Sequence, residues 1–91
     1  MATTHTSILR RFGYNPATIR RRLGLFHETD GIRYFEHSKG FGVALRSNGA
    51  WRHCNENGTR IGEGEGRIRE GRGHGPVSLE KHLIKFHGDI S

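Results

Sequence analysis

Phe41-Gly42-Val43-Ala44-Leu45-Arg46-Ser47-Asn48-Gly49-Ala50-Trp51-Arg52-His53-Cys54 is the stretch whose reading decides the fold. Apolar and polar residues alternate on either side of Ser47-Asn48-Gly49, the pattern of two strands joined by a tight turn. Two registers are open. A two-residue Asn48-Gly49 turn pairs Arg46 with Trp51 and Leu45 with Arg52. A three-residue loop with Gly49 in the left-handed region pairs Leu45 with Trp51 and Val43 with His53. A one-residue slip sends a strand's side chains to the opposite face, so the apolar pattern decides between them. Only the three-residue loop gathers Phe41, Val43, Leu45 and Trp51 on one face, and it is the register expected.

Outward from this hairpin, the sequence reads as a β-meander. An earlier strand spans Ile32–His37, followed by the turn Ser38-Lys39-Gly40. Adjacent Tyr34 and Phe35 point to opposite faces, so either both faces are covered or one ring is exposed. After Cys54, Asn55-Glu56-Asn57-Gly58 predicts another turn and a strand from Thr59, with His53 opposite Ile61. The expected core face is Phe41, Val43, Leu45, Trp51, His53 and Ile61. The other face carries Ala44, Arg46, Arg52, Cys54 and Arg60. Three arginines side by side on a sheet repel unless an anion or acidic group lies among them.

Upstream, Ser7 is the expected cap of a short helix Ile8–Phe12 ended by Gly13, with residues 1–6 disordered. Asn15-Pro16 predicts a second helix to about Leu23, because proline suits a first helical position. Downstream, residues 62–75 hold six glycines among alternating charges and read as a flexible connector or a frayed edge strand. Ser78 is the expected cap of a final helix. Leu79, Leu83, Phe86 and Ile90 form its apolar stripe, Gly88 its stop, and the Trp51 face of the sheet its seat. The expected fold class is α+β: short N-terminal helices, an antiparallel sheet of three or four strands, and a C-terminal helix packed on it. With 91 residues, one domain is expected. Only 32% are hydrophobic, which predicts a thin core and leaves room for self-association as a homodimer.

Cys54 is the only cysteine, which excludes an intrachain disulfide and a four-thiolate zinc site and favours a reducing, cytoplasmic setting. No apolar run approaches the roughly 20 residues that cross a bilayer, and Met1–Ser7 lacks the apolar core of a secretory signal. No membrane partner is therefore expected.

The net charge is +6, and its placement is informative. Residues 1–26 hold Arg10, Arg11, Arg20, Arg21 and Arg22 without an acid, whereas residues 27–91 hold ten Lys/Arg against nine Asp/Glu. The stretch Ser7–Leu23 resembles a helix-turn-helix, with Gly13 at the turn and Ile19 on the buried face of the second helix. Leu9, where a small residue is wanted, and Arg22, where an apolar one is wanted, depart from that motif. The plainer reading is two short helices bracing the sheet with arginines in solvent.

The expectation for function is a non-enzymatic protein that engages nucleic acid or a nucleoprotein through Arg10, Arg11, Arg20, Arg21 and Arg22, with Arg46, Arg52 and Arg60 as a second group. An acidic protein surface would attract the same groups. The alternative is therefore an inhibitor acting by protein contact on a host nucleoprotein complex, of the kind that phages and mobile elements direct at CRISPR machinery. A third reading is a small metal-dependent nuclease using Glu28, Asp30 or Glu36 with His37, but no spacing requires it. Gly62–Gly66 lacks the Gly-Lys-Ser/Thr end of a phosphate loop. Seven histidines are many, yet His82 and His87 are five apart and His53 and Cys54 point to opposite sides of a strand, so no metal or other cofactor is expected. A set such as His74, His82 and Cys54 stays open. His53 is expected in the core with a hydrogen-bond partner, and titration near neutral pH is open to any of the seven.

Overall fold

The structure, a computed structural model, describes residues 4–17, 32–64 and 74–90. The elements are α1 (His5–Arg11), β1 (Tyr14–Ala17), β2 (Ile32–His37), β3 (Gly42–Arg46), β4 (Trp51–Cys54), β5 (Arg60–Gly64) and α2 (His74–Ile90). The strands form one antiparallel sheet in the order β1-β2-β3-β4-β5. The α+β class is thus as expected, with five strands in place of three or four.

The meander is built by one loop used three times. Ser38-Lys39-Gly40, Ser47-Asn48-Gly49 and Glu56-Asn57-Gly58 each end in a glycine at positive φ, 96°, 93° and 82° in turn. In each, the glycine N–H donates to the residue just before the loop: Gly40 to His37 O, Gly49 to Arg46 O and Gly58 to Asn55 O, at 2.8–2.9 Å. A side chain at such φ is strained, which is why glycine recurs at the third position. Leu45 pairs with Trp51 and Val43 with His53, the register selected by the apolar pattern. The β4–β5 pairing departs from expectation. A bulge between His53 and Cys54 sets His53 opposite Gly62 rather than Ile61, and Ile61 is only half-buried.

α1 begins earlier than Ser7. Thr4 is its cap, accepting from Ser7 N at 3.1 Å, while Ser7 Oγ accepts from Thr4 N at 3.1 Å. Ser7 closes a reciprocal capping box instead of starting one. Gly13 follows at φ 90°, and the chain then turns into β1, where a helix was expected. Tyr14-Asn15-Pro16-Ala17 pairs with His37-Glu36-Phe35-Tyr34 as an edge strand. Proline is tolerated there because an edge leaves half its N–H groups unpaired anyway. The helix-turn-helix resemblance fails at this point, since its second helix would start where β1 runs. Residues 18–23 lie outside the described residues.

The core lies between the sheet and the two helices: Ile8 and Leu9 of α1, Leu79 and Leu83 of α2, and Tyr14, Phe35, Phe41, Val43, Leu45 and Trp51 beneath them. α2 starts at His74, four residues before Ser78, and runs through Gly88 to Ile90. Gly88 therefore does not stop it, and Ile90 is exposed rather than packed. Two glycines of β5 make room for α2. A Cβ on Gly62 would lie 2.2 Å from the His82 ring, and one on Gly64 would lie 2.5 Å from Trp51 Nε1. Gly62 and Gly64 thus belong to an edge strand, the second of the two readings of this stretch, rather than to a flexible connector; residues 65–73 lie outside the described residues. On the other face, Ala44 and Cys54 are buried with Ile32, Tyr34 and Ala50 packed against them. Both faces are covered in part, with Phe35 on one and Tyr34 on the other.

Candidate functional site

The arginines singled out in the sequence fall into separate places. Arg10 and Arg11 are exposed on α1, in the helix layer. Arg11 pairs with Glu80 of α2, and its guanidinium lies 5.3 Å from the centre of the Phe12 ring. Arg20, Arg21 and Arg22 lie outside the described residues. Arg46, Arg52 and Arg60 sit on the opposite face of the sheet, as expected from strand alternation. Glu63 lies opposite Arg52 and contacts both Arg60 (2.9 Å) and Arg52 (3.7 Å). For Arg52 and Arg60, the acidic partner is part of the chain itself.

Arg33 was not singled out, and it joins Arg10. Its Nη2 donates to Thr6 Oγ1 of α1 at 2.6 Å, and its guanidinium lies 5.6 Å from the Phe35 ring centre. Arg10 and Arg33 both line an open cavity of about 440 Å³, with Thr6, Pro16, Ala17 and Tyr34 among its walls. No carboxylate lines it among the described residues. β1 ends at this cavity, at Ala17, and the chain continues from there to Arg20-Arg21-Arg22. A signal for Arg33 existed in the sequence: it lies in a strand, two residues before Phe35, and so had to emerge on the helix side of β2.

The second gathering of chemical groups is a cluster of histidines beneath α2. His53 of β4 is fully buried. Its Nε2 is 2.6 Å from Tyr14 Oη and its Nδ1 2.7 Å from His82 Nε2, while Tyr14 Oη is also 2.9 Å from His87 Nε2. The line His82–His53–Tyr14–His87 thus ties β1 and β4 to two points on α2. With all four groups neutral, each contact holds one proton in either of two directions. In one, His53 Nδ1–H donates to His82, Tyr14 O–H to His53, and His87 Nε2–H to Tyr14. In the other, every donor and acceptor is exchanged. His37 of β2 completes the cluster, its ring 4.9 Å from Tyr14 and 5.3 Å from His87. Phe86 stands edge-on to His53 and Phe41, at 4.8 and 5.0 Å, and closes the top.

Burial without a counter-charge favours the neutral forms. Desolvation pushes His53 down to about 3, with His82, His87 and His37 adding to the effect. Desolvation also lowers His82, His37 and His87; Lys39 lowers the last two further, and His37 acts on His87 as well. Tyr14 is raised far above its ordinary value by burial. On the outer face, burial raises the Cys54 thiol while Arg60 and Arg52 pull it back.

His53 is the core histidine expected. That His82 and His87 meet it together escapes a comparison of the two with each other; it emerges when each is set against the apolar stripe. His82 precedes Leu83 and His87 follows Phe86, so each flanks the buried stripe. His82 and Cys54 lie against opposite faces of the sheet, so the set with His74 is not assembled. Glu36 and His37 likewise point to opposite faces. Glu28 and Asp30 lie outside the described residues. Among the described residues, no group of three or more His, Cys, Asp or Glu is placed to hold a metal ion, and no helix is long and apolar enough to cross a membrane. No protein-family model matches the chain, and comparisons with curated proteins and with solved structures find no match.

Proposed function

We propose that this is a non-enzymatic binding protein that engages the phosphate backbone of nucleic acid, alone or within a nucleoprotein, through its arginine-rich N-terminal segment. One observation carries the reading. Arg10 and Arg33 share an open cavity at the end of β1, no described carboxylate lines it, and Arg20-Arg21-Arg22 follow β1 closely in the sequence. Guanidinium groups gathered in one place suit phosphate oxygens, which they meet in a bidentate fork. The outer-face group is a weaker candidate, because Glu63 already shares Arg52 and Arg60.

Binding of plain duplex and single-stranded oligonucleotides, measured by fluorescence anisotropy at rising salt, tests this. Affinity falls steeply between low and moderate salt, because binding releases condensed counterions. The triple variant Arg20→Ala, Arg21→Ala, Arg22→Ala flattens that dependence. Absence of binding to either strand form at low salt overturns the proposal and turns attention to an acidic protein surface.

A further inference from the structure

We propose that Tyr14, His37, His53, His82 and His87 form an acid-sensitive latch, in which proton uptake by the cluster releases α2 from the sheet. The inference is independent of the partner reading. It rests first on placement. The cluster lies at the seam between α2 and the sheet, with His82 and His87 supplied by the helix and Tyr14, His37 and His53 by the strands. Moving α2 away therefore separates His82 from His53 and His87 from Tyr14, and gives water access to all four imidazoles.

The groups facing His53 offer no compensation for a charge. Tyr14 approaches from β1, His37 from β2, and His82 and His87 from α2, with Lys39 acting on His37 and His87. Its strand neighbours, Val43 of β3 and Gly62 of β5, carry no ionisable group. The Arg11–Glu80 pair joins α1 to α2 and sits in the exposed helix layer. A proton on His53 still finds acceptors in His82 Nε2 and Tyr14 Oη, so hydrogen bonding does not forbid it; the cost is an unpaired buried cation. His37 is constrained differently. Its Nδ1 accepts the Lys39 N–H at 3.0 Å, and protonation at that nitrogen breaks the bond.

The linkage follows from the difference between the two states. With α2 docked, burial holds all four histidines below their ordinary pKa. With α2 released, water reaches the rings and desolvation is relieved, while Lys39 still acts on His37; protons therefore bind the released form in preference, and mass action draws the helix off as pH falls. Each histidine that gains a proton on release steepens the response by up to about tenfold per pH unit. The meander has a reason to outlast α2: Ala44, Cys54, Ile32, Tyr34 and Ala50 pack on its other face.

Native-state amide hydrogen exchange on the whole chain between about pH 7.5 and pH 4.5, corrected for the intrinsic pH dependence of exchange, tests the latch. Protection of α2 amides falls as pH drops through about 6.5, before that of β2, β3 and β4. In His82→Gln, and separately in His87→Gln, both half-buried positions, the pH response of α2 is shallower. A ¹⁵N titration of wild-type side chains serves if either variant fails to fold: His53 remains neutral in every molecule with α2 docked. Protection of α2 that is flat across this range overturns the proposal. So does loss of α2 and sheet protection together at one slope, which is global acid unfolding, and so does a His53 that protonates normally with α2 still docked.

Discussion

The two faces of the sheet solve the same problem with different chemistry. Beneath the helices, polar side chains are buried neutral: His53 and Tyr14 are hidden completely and bonded to each other and to α2. On the outer face, the buried residues Ala44 and Cys54 are small, and the side chains around them pair at the surface, with Glu63 holding Arg52 and Arg60. The first face is held by packing and aromatic contacts, and protons are expected to weaken it. The second is held by ion pairs near water and is sensitive to salt. Alternation along each strand lets adjacent residues such as His53 and Cys54 serve such unlike environments.

The largest way to break this contrast is to cut into the helix-covered face. Leu83→Ala, at a fully buried position, is expected to cost about 2–5 kcal/mol in urea unfolding. Gly64→Ala forces a methyl against Trp51 and Ser78 and is expected to cost about 1–3 kcal/mol, read the same way. The pH response comes next. His53 is lowered to about 3, so the folded state binds no proton there while the unfolded state does below its ordinary value near 6.5. Stability is unaffected above that pH and falls by up to about 1.4 kcal/mol per unit as pH drops from 6.5 towards 3 for this group alone. Urea midpoints at pH 7 and pH 5 check the sign. The smallest effect is on the outer face. Glu63→Gln is expected to change stability by less than about 1 kcal/mol, and the change shrinks in high salt, because Glu63 is 58% exposed.

The hairpin register, the packed helix and the buried His53 were legible because each depends on a local pattern. Asn48-Gly49 permits only two pairings, and a single apolar face selects one. The Leu79–Leu83–Phe86 stripe has one helical reading. β1 was not legible for a matching reason. Asn15-Pro16 suits a helix start and an edge strand equally well, and the deciding contact, Tyr14 with His37, is distant in sequence. Gly62 and Gly64 suited a connector and an edge strand equally well, because what makes glycine necessary there is the approach of His82 and Trp51. The histidine cluster was hidden because its members come from β2, β4 and α2 and meet only on folding. α1 begins before Ser7 since a serine fits within the first turn as well as at its cap, and α2 begins a full turn before Ser78.

The division of the arginines is the central functional claim, and salt-dependent binding tests it most directly. Oligonucleotide affinity should be measured against salt for the wild type, for Arg10→Ala with Arg33→Ala, and for Arg52→Ala with Arg60→Ala. With the phosphates held at the α1 edge, the first pair of substitutions lowers the slope on duplex DNA by about 0.9 for each phosphate left without its arginine, while the outer-face pair leaves it unchanged. A slope unaltered by the first pair and reduced by the second would contradict the account.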